Sequence, residues 1–91
     1  MKLLENKVAL ITGGGRGIGR SICESFAENG CNVAFTYNSS KEAAENLVEE
    51  LKKYDVKVKS YKSDASDHDK SVELIDNVIS DFERIDVLVN N

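Results

Sequence analysis

A chain of 91 residues, 41% hydrophobic and 31% charged, has room for one small domain with a modest core. Its net charge of −4 and lack of a basic stripe exclude a nucleic-acid backbone as partner. No apolar run approaches the roughly 20 residues that span a bilayer, and nothing at the N-terminus reads as a signal peptide, so a cytoplasmic protein with no membrane partner is expected.

Val8–Thr12 is a short apolar run ending in glycines, which suits a strand buried on both faces. Ile18, Ile22 and Phe26 then recur every four residues with Cys23 and Ala27 alongside, predicting an apolar helical face near 18–29 that Asn29-Gly30 ends. A second strand follows at 33–37. Ser39 and Glu42 have the spacing of a capping box, so a second helix is expected near 40–53 with Ser39 as N-cap. It places Ala43, Ala44, Leu47, Val48 and Leu51 on one side, with Lys52 and Lys53 where cations suit its dipole. Residues 56–62 alternate apolar and polar, a third strand whose lysines discourage pairing at a sheet edge. A third helix near 67–82 carries Val72, Ile75, Val78, Ile79 and Phe82 on its face, and the last strand spans 86–90. Cys23 and Cys31 lack a CxxC spacing and are expected as reduced, packed thiols. His68 is expected at the surface, and no metal cluster is visible.

This β-α-β-α-β-α-β alternation predicts an α/β fold, a Rossmann-like doubly wound parallel sheet with strand order 3-2-1-4, in a single domain over residues 1–91. Ligands of such sheets bind at the carboxyl ends of the strands where the order reverses, here beside the first turn. That turn holds five glycines between residues 13 and 19. Gly13, Gly17 and Gly19 have the spacing G-x-x-x-G-x-G, suited to a tight turn that brings backbone and a helix N-terminus close to a pyrophosphate. A second reading stays open: Gly14, Gly19, Arg20 and Ser21 are one substitution from the P-loop pattern, with Arg20 in the place of its lysine.

The stretch T-G-x-x-x-G-I-G, Asp64 after the third strand and Asn90-Asn91 at the end of the fourth resemble, in order and spacing, three motifs of the short-chain dehydrogenase/reductase family. Among its branches the sequence is most similar to bacterial 3-oxoacyl-[acyl-carrier-protein] reductases. The resemblance implies that Gly13, Gly14, Gly15, Gly17, Ile18 and Gly19 form the cofactor turn, the backbone N–H of Ile18 meeting the pyrophosphate, and that Arg16 in the same loop serves the 2′-phosphate of NADP. It implies that Asp64 and Ala65 meet the adenine. Asn91 would lie beside the nucleotide, and Asn90 would also tie the central strands together. It further implies the N-terminal half of the domain, truncated after strand four. The family's catalytic Ser, Tyr-x-x-x-Lys and helper Asn would lie beyond it; Tyr54 and Tyr61 have no lysine four residues on, so no catalytic residue is expected here. The complete protein would be a tetrameric, NADPH-dependent oxidoreductase reducing a small or carrier-bound carbonyl to an alcohol, as in fatty-acid synthesis. The alternative is a non-catalytic module that senses a dinucleotide.

The cofactor expected is NADP. An NAD site of this type carries Asp or Glu at the end of strand two. Here no acidic residue stands between Glu28 and Glu42, and Tyr37 takes the carboxylate's place. Arg16, Asn38, Ser39 and Ser40 are then available to a 2′-phosphate.

Overall fold

The computed structural model describes residues 3–14, 17–63 and 68–90, with 68–70 described by backbone alone. The elements are β1 (Val8–Thr12), α1 (Gly17–Glu28), β2 (Asn32–Tyr37), α2 (Lys41–Leu51), β3 (Val58–Lys62), α3 (His68–Phe82) and β4 (Val87–Asn90); a 3-10 turn over Lys52–Tyr54 follows α2. The four strands form one parallel sheet in the order β3-β2-β1-β4, the order expected. In register, Ile11 pairs with Phe35 and with Val89, and Tyr37 pairs with Lys62.

Alternation along β1 sends successive side chains to opposite faces, and both faces are covered. Ala9 and Ile11, with Val33 and Phe35 of β2, pack under Cys23 and Ala27 of α1 and Ala44, Leu47 and Leu51 of α2. Val8 and Leu10, with Ala34, pack against Val78 and Phe82 of α3 on the other face. Fully covered central strands explain why β1 reads as a continuous apolar run rather than as an alternation. Helix α1 ends where Gly30, with φ of 86°, donates to the Ala27 carbonyl and Cys31 donates to that of Phe26, both at 3.0 Å.

Three expectations need correction. Periodicity puts Ile18 on the core face of α1, yet it is 73% exposed. The stripe that meets the sheet lies one residue on, at Gly19, Cys23 and Ala27, because small side chains let α1 approach the strands; Ile22 and Phe26 flank it. The cap of α2 is Ser40, not Ser39, and it makes no side-chain cap bond; the Ser39 carbonyl accepts from Lys41 N–H at 3.1 Å instead. On α3, Val72 and Ile79 are exposed, while Leu74 and Ile75 take the inward positions beside Val78 and Phe82. The apolar arc of α3 is wider than the strip of sheet beneath it.

Lys59 of β3 does stand at the sheet edge, but it is also engaged, as is Lys57 just before the strand. Lys59 Nζ donates to the Asp81 carboxylate of α3 at 2.8 Å, Tyr61 donates to the same oxygen at 2.6 Å, and Lys57 Nζ donates to the Asp81 carbonyl. At the opposite end of the sheet Asp86 binds β1 twice. Its N–H donates to the Val8 carbonyl and its carboxylate accepts the Val8 N–H, each at 2.8 Å.

Candidate dinucleotide site

The carboxyl ends of all four strands open on one cleft of about 400 Å³. Thr12 and Gly13 come from β1 and its turn, Thr36, Tyr37 and Asn38 from β2, Ser63 from the end of β3, and Asn90 from β4; Ser71 and Leu74 of α3 form a wall. The cleft straddles β1, the strand from which the chain runs outward to β2 and β3 on one side and to β4 on the other. Connections that diverge from a central strand leave a gap above it, and the first βα turn occupies that gap.

The turn is built by division of labour among its glycines. Gly13 and Gly17 have φ of 70° and 63°, a region that L side chains rarely adopt. Gly14 is buried; a Cβ there would stand 2.6 Å from the Phe35 Cβ and 2.8 Å from the Cys23 sulfur. At Gly17 a Cβ would meet nothing within 4 Å, so space is open at the N-terminus of α1. The first amides of α1, from Gly17, Ile18 and Gly19, have no acceptor within their own helix and carry the positive end of its dipole. They are what this site offers to an anion.

Gly14 contributes in another way. Its N–H donates to the Thr36 carbonyl at 3.0 Å and so is committed to the fold. Arg20, the residue in the lysine place of the P-loop-like pattern, pairs with Glu50 of α2. Both observations weigh against a triphosphate cradle. Cys23 and Cys31 are buried; burial pushes the Cys23 thiol up to about 12 and the Cys31 thiol to about 11. Neither is poised as a nucleophile.

Of the other expected site residues, Asn38 lines the cleft, and Ser39 lies just outside it over the start of α2. Asn90 lines the cleft and accepts from the Thr12 hydroxyl at 3.1 Å, a bond between the two central strands. Gly15, Arg16, Asp64, Ala65 and Asn91 lie outside the described residues. Sequence reasoning misses Thr36, whose hydroxyl accepts the Gly13 N–H at 2.9 Å, and Ser63, Ser71 and Leu74 of the walls. A signal for Thr36 exists: a hydroxyl inside a buried apolar strand must find a partner. Among the described residues no group of three or more His, Cys, Asp or Glu side chains is placed to hold a metal, and no helix is long and apolar enough to cross a membrane.

The profile of the family described as short chain dehydrogenase matches residues 7–91. A 3-oxoacyl-[acyl-carrier-protein] reductase, FabG, of Staphylococcus epidermidis is 48% identical over 86 residues, 94% of this chain and 35% of the relative. An NADP-dependent mannitol dehydrogenase of Hypocrea jecorina is 44% identical, over 97% of this chain and 34% of its own length. The crystal structure of a short chain dehydrogenase from Burkholderia cenocepacia in complex with NADP superposes with a TM-score of 0.94 at 36% identity, covering 97% of this chain and 36% of that one. The chain therefore spans about a third of the length of the relatives it matches. On the match across nearly its whole length, the chain belongs to the short-chain dehydrogenase/reductase family.

Proposed function

We propose that this chain is the cofactor-binding part of an NADP-dependent oxidoreductase that reduces a carbonyl to an alcohol, the specific role being that of a 3-oxoacyl-[acyl-carrier-protein] reductase in fatty-acid synthesis. The observation that carries the cofactor choice is the tip of β2. Tyr37 and Asn38 line the cleft where an NAD site of this type holds a carboxylate, and no described residue of the lining is acidic. A carboxylate there would repel a 2′-phosphate; its absence removes that penalty.

The residues present fit a dinucleotide. The open N-terminus of α1 lets its first backbone amides approach a pyrophosphate, and Gly13 and Gly17 turn the chain toward it at positive φ. Gly15, Gly17, Ile18 and Gly19 would hold that group, with Gly13 and Gly14, whose amides end on Thr36, seating the turn beneath it. Arg16, Asn38 and Ser39 would take the 2′-phosphate, Asp64 and Ala65 the adenine, and Asn90 and Asn91 the nucleotide's inner side. When bound, the nicotinamide supplies the hydride. The chain's own part is to bind and orient it; the Thr12–Asn90 bond holds β1 and β4 together under the place where it would lie. The name of the Staphylococcus protein supports a reductase, and those of the Hypocrea and Burkholderia dehydrogenases support NADP as the cofactor. The full-length protein is expected to be a cytoplasmic tetramer.

Titration with adenosine 2′,5′-bisphosphate and with adenosine 5′-monophosphate tests the cofactor choice. The extra phosphate should tighten binding about tenfold or more, as a charge-assisted contact does. Tyr37→Asp should erase that gain. Equal affinity of the wild-type protein for the two probes overturns the choice of NADP.

A further inference from the structure

We infer that Thr36 is the positioning residue of the cofactor turn: it fixes Gly13 and Gly14 from the neighbouring strand and so sets the height at which the pyrophosphate-binding backbone stands. The inference rests on the dinucleotide reading of the cleft. Thr36 is 6% exposed in a strand whose neighbours Val33, Ala34 and Phe35 are fully buried. Its hydroxyl oxygen accepts the Gly13 N–H at 2.9 Å and its carbonyl accepts the Gly14 N–H at 3.0 Å. Two consecutive amides of the turn thus end on one residue of β2.

The contact leaves little slack. Gly14 lies so close to Phe35 and Cys23 that no Cβ fits between them, and the turn is pressed onto β2 as well as bonded to it. Strand formation does not need the hydroxyl, since valine has nearly the same shape and suits a buried strand at least as well. What valine lacks is the acceptor for Gly13. Without it the bond that draws Gly13 to β2 is lost, and the turn can settle at a different height. The residues after Thr36 are Tyr37 and Asn38, which line the same cleft. Thr36 therefore holds the phosphate turn and the ribose side of the site in one register. Because the pyrophosphate is common to NADP and NAD, loss of the Thr36 hydroxyl should weaken both cofactors alike, unlike a change at Tyr37.

The test compares Thr36→Val and Thr36→Ser with the wild-type protein. Affinities for NADP and NAD are measured by calorimetry at a temperature where far-UV circular dichroism shows each protein folded. Thr36→Val is expected to weaken both cofactors about tenfold with their ratio unchanged, the size of one lost hydrogen bond, while Thr36→Ser stays within about twofold of wild type. A purely structural role would lower the unfolding midpoint and leave the affinities of the folded protein unmoved, which overturns the inference. Thr36→Ser losing as much as Thr36→Val also overturns it, because the methyl group would then be what matters. If Thr36→Val does not fold, Thr36→Ala takes its place: a tenfold loss for both cofactors supports the inference, and unmoved affinities overturn it. Wild-type protein that binds neither NADP nor NAD overturns the dinucleotide reading itself, a result separate from any ranking of the variants.

Discussion

At Gly14 a hydrogen atom is the largest substituent that fits. The position seats the turn between Phe35 and Cys23, and a methyl group would force β2 or α1 to move. Gly14→Ala should therefore lower stability by about 1–3 kcal/mol, the usual cost of overpacking. Gly17 makes the opposite case: open space surrounds it, but its φ of 63° penalises any Cβ. Gly17→Ala should cost about 1–2 kcal/mol, and Gly17→Asn less, because asparagine tolerates this backbone region. Urea unfolding of the three variants separates crowding from backbone strain. If Asn and Ala are equally destabilising at 17, conformation is not the reason for glycine there.

Two aspartates fasten elements together, and both make stability depend on acid. Asp81 ties the end of α3 to the edge strand β3. The hydrogen bond from Lys59, then that from Tyr61, holds its carboxyl below the ordinary carboxylate value. Burial, and then the carboxylate beside it, push the Tyr61 phenol up. Asp86 ties the start of β4 to β1, and its carboxyl is held down by Arg84 first and by the Val8 N–H second. A carboxyl whose folded value is depressed binds its proton more readily in the unfolded chain. Its stabilising contribution is therefore complete above the unfolded value, about 3.9, and is lost as pH falls through the lower folded value. Thermal unfolding should show a midpoint that is flat for these groups at neutral pH and drops below about pH 4. Asp81→Asn combined with Asp86→Asn should start lower and fall less steeply over that range. An unchanged slope in the double variant would remove these two groups from the acid response. Asp86 is invisible to local pattern because its partner, Val8, is 78 residues away in the chain.

Over the whole molecule the two faces of the sheet are finished to different degrees. The face under α1 and α2 is closed, and Val87 and Val89 of β4 join its core. On the face under α3, Leu88 of β4 is 59% exposed, and Val72 and Ile79 of α3 are open as well. β4 is also an edge of the sheet, with unpaired backbone groups beside an exposed leucine. As a 91-residue polypeptide the protein should self-associate with rising concentration, and Leu88→Lys should suppress this. Sedimentation velocity decides: a wild-type protein that stays monomeric at every concentration where the variant does would show that this edge is not sticky.

The order of elements, the parallel sheet and the strand order 3-2-1-4 were legible in the chain itself. Periodicities of two and 3.6 residues mark strand and helix, and strict alternation of strand and helix leaves few topologies open. The place of the cleft was legible for the same reason: the glycine turn follows β1, and β1 lies where the order reverses. Only the tertiary structure decided which apolar residues are core. Ile18, Val72 and Ile79 satisfy a helical period but project beyond the strands that would cover them. It also decided the partners of polar groups. Lys59 and Tyr61 with Asp81, Thr12 with Asn90, and Gly13 with Thr36 are joined across at least 20 residues of chain. Such pairings depend on strand register and on the height of each helix over the sheet, quantities set by packing rather than by any neighbouring run of residues.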